Sequence, residues 1–172
     1  MNSAVHWPDG YVPDRARVFG AWVVILAASI EDPYDKKVLV RRRGAVALAP
    51  IMLPGGRTAR DMVVLHGHGV FVLCATSSAV VGGVGWDEFV IVRLNLEHSR
   101  ADLVHSDKQW EQLRRPYVLR LLGCSPDGNR LAVACGRHAD AENSSRMEYR
   151  LGYLSPETGG IELQELLEGL IF

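Results

Sequence analysis

The chain has 172 residues, of which 48% are hydrophobic and 23% are charged. This composition suits one globular domain with a packed core and excludes wholesale disorder. The formal net charge of −1 at pH 7 provides no basic field for a phosphate backbone, so we expect no nucleic-acid partner.

The N-terminal segment, residues 1–16, is predicted to be an irregular lead-in because prolines and glycines interrupt it. Residues 17–172 are predicted to form a single all-β domain. Within it, the apolar run at residues 18–30 is too short to span a bilayer. The segment before this run is long and contains Pro8, Asp9, Pro13 and Asp14, unlike the short basic start of a signal peptide. We therefore expect a buried strand here, no signal peptide and no membrane partner.

The next strand pattern, at residues 37–43, places Val38 and Val40 on one face. It contains a basic cluster with two interpretations. The first is a patch for localisation or for an acidic partner. The second, which the pattern favours, is an edge strand protected from aggregation by its charges. The residues of the cluster are Lys36, Lys37, Arg41 and Arg43.

Two apolar segments at residues 62–65 and 70–75 flank a turn with the sequence His-Gly-His-Gly, which predicts a hairpin. The glycine-rich residues 82–85 are not followed by a Lys-Ser or Lys-Thr pair, so we interpret them as an interstrand loop and not a phosphate site. Residues 89–96 form the clearest strand pattern. Residues 109–115 are predicted to form a single helical turn before Pro116.

The Ser-Pro-Asp-Gly sequence at residues 125–128 predicts a tight turn between apolar strands, because proline presets φ and glycine accepts a positive φ. The pattern around it, strand, turn, strand, loop, strand, turn, strand, also occurs about sixty residues earlier. The two copies cover residues 62–104 and 117–165. The sequence therefore predicts an all-β fold of antiparallel four-stranded blade-like units, a partial β-propeller, with a β-sandwich or a barrel as the alternatives.

The motifs at residues 125–133, 149–154 and 158–160 resemble blades of WD40-like and lactonase-like β-propellers. The resemblance covers residues 117–165 well and residues 62–104 more loosely. No Trp-Asp dipeptide ends either third strand, which departs from the WD40 pattern. More faintly, the order of the strand motifs resembles an uncharacterised family of grass proteins, related in style to F-box-associated propeller domains. That second resemblance implies no known catalytic residues.

Two kinds of chemical site can be formulated from side chains. His66 and His68, with Cys74 or with Cys135 and His138, contain the ligand types that zinc prefers. Alternatively a cysteine could act as a nucleophile with a histidine base. Flanking glycines favour exposed turn histidines, and apolar neighbours favour buried, inert thiols. We therefore predict no metal, no cofactor and no catalytic residue.

The cysteines Cys74, Cys124 and Cys135 are odd in number and lack framework spacing. Hairpin geometry separates Cys124 from Cys135 by some 15 Å, beyond disulfide reach. Free thiols indicate a reducing compartment, and we expect a cytoplasmic or nuclear protein.

The function expected from these patterns is a non-catalytic, propeller-like module that binds another protein. One alternative is a propeller-type hydrolase or lactonase with a site at the strand ends. Another is a truncated propeller product without an independent role. Propellers close with four to eight blades and this length provides about three, so association through open sheet edges is also expected.

Overall fold

The structure is a computed structural model that describes residues 7–32, 34–75, 88–108, 117–138 and 147–166. These residues form three antiparallel sheets of four strands, and each sheet follows the order of the chain. The predicted all-β class with four-stranded, blade-like units is confirmed. Sheet 1 contains β1 (Tyr11–Phe19), β2 (Trp22–Ser29), β3 (Lys36–Arg42) and β4 (Ala49–Ile51). A 3₁₀ turn, Pro54–Gly56, leads to sheet 2, with β5 (Thr58–Leu65), β6 (Gly69–Ala75), β7 (Glu88–Asn95) and β8 (Arg100–Lys108). Sheet 3 contains β9 (Tyr117–Cys124), β10 (Leu131–His138), β11 (Met147–Leu154) and β12 (Ile161–Leu166).

The three sheets are stacked, with sheet 2 in the middle. One apolar cluster joins sheets 1 and 2, with Val24 and Val38 on one side and Val72 and Val92 on the other. A second cluster joins sheets 2 and 3. Both faces of sheet 2 are therefore covered by another sheet.

The sequence of β6, Gly-Val-Phe-Val-Leu-Cys-Ala, explains its central place, because every residue of this strand is buried. Side chains alternate across a strand. Val70 and Val72 accordingly pack towards sheet 1, while Phe71 and Leu73 pack towards sheet 3. A strand that is covered on both faces needs a continuous apolar run and not an alternating pattern.

The first strands of successive sheets are neighbours, since β5 packs beside β1 and also beside β9. This is the arrangement expected of radial blades whose first strands line a common axis. Within the described ranges none of the sheets closes on itself, so these residues do not form the barrel that was one alternative. Three stacked sheets also differ from the two-sheet sandwich that was the other alternative.

The prediction of an irregular lead-in at residues 1–16 is wrong from Tyr11 onward, because β1 pairs with β2 from Tyr11 to Phe19. Pro13 and Asp14, which were part of the predicted irregular lead-in, lie at a register shift in this edge strand. Proline is tolerated on an edge strand, and a bulge accommodates an extra residue. The apolar run at residues 18–30 is likewise divided, since a turn at Gly20, with φ of 56°, separates β1 from β2.

The two predicted blades correspond to sheets 2 and 3. Sheet 2 extends four residues beyond each predicted limit, and sheet 3 extends one residue beyond its predicted end. Sheet 1 is a third unit that the internal repeat did not reveal. The predicted loop at residues 82–85 and the predicted helical turn at residues 109–115 lie outside the described residues. The assignment of residues 17–172 to one domain stays a prediction.

Candidate functional site

One end of the stack gathers the turns that join the first and second strands and the third and fourth strands of each sheet. Antiparallel strands in sequential order bring these turns to the same end. We call this end the turn surface. It comprises residues 20–21, 43–48, 66–68, 96–99, 125–130 and 155–160.

The turn at residues 125–130 is held by its first residue, Ser125, which is only 2% exposed. Its backbone N–H donates to the carbonyl oxygen of Arg130 at 2.8 Å, and the N–H of Gly128 donates to the Ser125 carbonyl oxygen at 2.8 Å. The Ser125 hydroxyl donates to the Asp127 carboxylate and accepts a hydrogen bond from the Arg130 N–H at 3.0 Å. These bonds fix the turn in one conformation.

The same turn presents a carboxylate to solvent. The hydrogen bond from Ser125, and a second from the backbone N–H of Asn129, hold the pKa of the fully exposed Asp127 carboxyl below its usual value. Asp127 is therefore a fixed negative charge at neutral pH.

Arg130 connects this turn to the outer strand of sheet 3. Its Nη1 lies 2.6 Å from Glu162 Oε2, and its guanidinium lies 5.1 Å from the ring centroid of Tyr153. The hydrogen bond from Arg130, followed by one from Gln164, lowers the pKa of Glu162. Because this ion pair is exposed, it contributes little stability, and its main effect is to orient the side chains.

The turn at residues 155–160 repeats the construction of the first turn. The N–H of Ser155 donates to the carbonyl oxygen of Gly160 at 2.9 Å, five residues on, as in the first turn. The Ser155 hydroxyl donates to the carboxylate of Glu157 at 3.2 Å. Sheet 3 thus displays two turns with the same Ser-Pro-acid start, and two of the hydrogen bonds of the serine are the same in both.

The second turn also packs against sheet 2, at β8. Nδ1 of His105 donates to the carbonyl oxygen of Gly159 at 2.7 Å. A Cβ atom at Gly159 would stand 2.1 Å from the carbonyl oxygen of Val104, and the φ of Gly159 is 68°. Only glycine permits this approach of backbone to backbone.

Polar contacts on the turn surface join neighbouring sheets at equivalent positions. Nε1 of Trp22, beside the first turn of sheet 1, donates to Oε1 of Glu97 in the second turn of sheet 2 at 3.3 Å. Nδ1 of His68, in the first turn of sheet 2, lies 3.0 Å from Oε1 of Glu157 in the second turn of sheet 3. At each sheet interface, therefore, a ring nitrogen of one sheet meets a glutamate of the next.

The proposed metal ligands are not brought together. His66 and His68 lie in the β5–β6 turn, whereas Cys74 lies near the far end of β6. Five residues separate Cys74 from Gly69, the first residue of the strand, which corresponds to roughly 17 Å by strand rise. In the described part of the chain, no group of three or more histidine, cysteine, aspartate or glutamate side chains is placed to hold a metal ion. The side chain of His138, the further candidate, lies outside the described residues.

The cysteines are all free thiols, as predicted, but their surroundings differ: Cys74 and Cys135 are buried and Cys124 is exposed. Burial raises the pKa of Cys74 from 9.0 to about 12, although the positive charge of Arg57 acts in the opposite direction. A thiol of this kind is a poor nucleophile, because the thiolate is the reactive form.

We expect the native protein to present one fast thiol to a disulfide reagent at pH 8, namely Cys124. Cys74 should react at least about a hundredfold more slowly, because it is buried and protonated. Stopped-flow titration with a chromogenic disulfide measures both rates. Cys124→Ser should remove the fast phase, and denaturant should release the slow thiols. A fast phase that survives in Cys124→Ser would contradict this prediction.

The basic cluster does not form one patch. Lys36 contacts Asp14 at 2.7 Å, and the Lys37 ammonium lies 4.1 Å above the ring centroid of Tyr11. Arg41 and Arg43 lie near the other end of β3, roughly 17 Å away from these lysines by strand rise. The strand is also not at the sheet edge, because the short β4 pairs with its centre. The edge-strand interpretation is thus wrong in its placement of β3.

The edge strand of sheet 1 with features that protect against pairing is β1, a strand that the sequence patterns did not predict. It is exposed along most of its length, and it contains Pro13, Arg15 and Arg17 at or near the bulge. Arg15 forms an ion pair with the buried Asp61 on β5. Proline, bulges and charges are the usual means by which an exposed strand edge avoids pairing with another chain.

The geometry defines an all-β protein of stacked, blade-like sheets, with two hydrogen-bonded turns of sheet 3 at one end. No known family model matches the chain, and no curated protein sequence matches it. In the described ranges, the structure contains no helix long and apolar enough to cross a membrane.

Proposed function

We propose that the protein is a non-catalytic, propeller-like protein-interaction module, and that the turn surface binds its partner. The observation that carries this proposal is the pair of locked turns in sheet 3. Each exposes a carboxylate, Asp127 in one and Glu157 in the other, on a backbone that its own serine holds. A surface that is rigid before binding loses little conformational entropy on association.

The hydrogen bonds of the turn surface support binding over catalysis. The hydroxyls of Ser125 and Ser155 donate to carboxylates in their own turns. The imidazoles of His68 and His105 contact a glutamate and a backbone carbonyl oxygen respectively. A nucleophile needs its base within hydrogen-bond reach, and these side chains are instead engaged in shaping the turns.

Position-specific crosslinking tests the proposal. A photoreactive phenylalanine derivative would replace Asn129, in the exposed turn of sheet 3, and in a matched variant it would replace Tyr34, which is 65% exposed at the opposite end of the stack. In extracts of the cells that produce the protein, we expect an adduct with a different protein from the Asn129 variant and none from the Tyr34 variant. Adducts from Tyr34 alone, or equal adducts from both positions, would refute the turn surface as the binding site.

A further inference from the structure

The second strands of the two end sheets have the apolar composition of an interior strand. Among the described residues, sheets 1 and 3 are each covered by another sheet on one face only. Their second strands are nevertheless apolar on both faces: β2 reads Val-Val-Ile-Leu-Ala-Ala at residues 23–28, and β10 reads Leu-Ala-Val-Ala-Cys-Gly at residues 131–136. A sheet with one face in water normally alternates apolar and polar residues. In this respect β2 and β10 resemble β6, which is covered on both faces.

The outer face of sheet 3 has a row of small residues beside a row of large ones. Ala132 and Ala134 on β10 lie opposite Tyr153 and Leu151 on β11, on the face that points away from sheet 2. The alanines are buried, and the tyrosine and leucine are half-buried. The side chains along β10 are therefore smaller than those beside them on β11.

On the outer face of sheet 1, large side chains lie over the centre of the sheet. Ile25, Ala27 and Leu39 form its centre, and Trp7 and Leu48 pack over them. Trp7 is held there by a hydrogen bond from Nε1 to the carbonyl oxygen of Tyr11 at 2.6 Å. A large aromatic side chain therefore covers the centre of one end of the stack, whereas small alanines form the centre of the other.

The turns that would meet at the two ends carry opposite charges. Within the stack, the first turn of each sheet contacts the second turn of the next sheet, as Trp22–Glu97 and His68–Glu157 show. By the same rule, the first turn of sheet 3, with the ionised Asp127, would meet the second turn of a following sheet. The second turn of sheet 1, which has no preceding sheet among the described residues, begins with the exposed Arg43.

We propose that two copies of this chain associate through these end faces, sheet 3 of each copy packing on sheet 1 of the other, to form a closed ring of six sheets. Six lies within the range of four to eight at which such rings close. The two contacts are identical by two-fold symmetry, which is the commonest symmetry of protein dimers. The proposal concerns the end faces and does not depend on a partner at the turn surface.

The buried area is sufficient for a stable dimer. Four strands about 4.8 Å apart, each roughly six residues long with a rise of about 3.4 Å, give a face of about 400 Å². Two contacts cover four such faces, or about 1,600 Å², which is the size of a standard specific interface.

The test is the molar mass of the purified full chain in solution, by light scattering across a dilution series. We expect twice the chain mass of 19.0 kDa. Arg43→Glu and Asp127→Lys should each weaken the dimer by about tenfold or more, because each places like charges together at both contacts. Combining the two changes in one chain should restore the affinity. Glu31→Lys, an exposed charge reversal in the β2–β3 turn at the opposite end, should leave the affinity unchanged.

A further variant tests the apolar contact between the end faces and not the charges of Arg43 and Asp127. Leu151→Asp places a carboxylate on the outer face of sheet 3, and we expect a monomer with the circular dichroism spectrum of the parent chain. A wild-type chain that remains monomeric at about 100 μM, far above the Kd of a standard specific interface, would overturn the proposal. So would a dimer that Glu31→Lys weakens as much as Arg43→Glu does. The dimer contains only this chain, whereas the expected adduct at Asn129 contains a different protein, so failure of this proposal is distinguishable from failure of the proposed function.

Discussion

Gly159→Ala is expected to destabilise the protein by about 4 kcal/mol, one of the two largest effects that the structure predicts. The added Cβ would stand 2.1 Å from the Val104 carbonyl oxygen, so either the turn at residues 155–160 or β8 must move. The positive φ of 68° adds about 1–2 kcal/mol of backbone strain. Thermal unfolding followed by circular dichroism should show a midpoint about 8–16 °C lower for a chain of this size.

The matched control is Gly128→Ala in the sister turn. Gly128 has a similar φ of 75°, but no atom lies within 4 Å of the position that a Cβ would occupy. Only the backbone strain remains, so the expected loss is about 1–2 kcal/mol. Equal losses of stability at the two glycines would show that the turn at residues 155–160 does not pack against β8.

Leu73→Ala is expected to cost about 3 kcal/mol, through the cavity that it leaves between sheets 2 and 3. Leu73 is fully buried on β6 and belongs to the apolar cluster that joins these sheets. Urea unfolding should show a lower midpoint with an unchanged slope, because the surface exposed on unfolding is nearly the same.

The control for this cavity is Leu103→Ala, the same substitution in the same sheet at a position that is 61% exposed. Its expected cost is below about 1 kcal/mol. Similar midpoints for both variants would mean that the interface between sheets 2 and 3 is not packed.

The parent chain should also unfold in one cooperative transition, whereas the hypothesis of a truncated product without an independent fold requires a broad or absent transition.

The turns could be predicted from the sequence because their chemistry is local. The Ser-Pro-Asp-Gly hairpin and the histidine-containing turn lie where the sequence predicts them, since proline presets φ and glycine accepts a positive φ without help from the rest of the chain. The two-sided burial of β6 follows from its uninterrupted apolar run. These signals were sufficient for the all-β class and for two of the three sheets.

The features that were missed depend on long-range contacts. Pro13 and Asp14 have turn chemistry, and only pairing with β2 shows that they form a bulge in a strand. The role of Gly159 depends on the carbonyl oxygen of Val104, 55 residues earlier in the chain. Likewise Trp22 and Glu97 meet only because sheet 1 stacks on sheet 2. No local pattern encodes the neighbours of a sheet, so the candidate site could be predicted only as separate turns.

The central position of sheet 2 has a consequence for how the molecule comes apart. If each sheet interacts only with its neighbours, stability is the sum of three sheet terms and two interface terms. Detaching sheet 1 or sheet 3 breaks one interface, but detaching sheet 2 breaks both. In a single copy of the chain, partial unfolding therefore starts at the ends of the stack, and the middle sheet opens only in global unfolding.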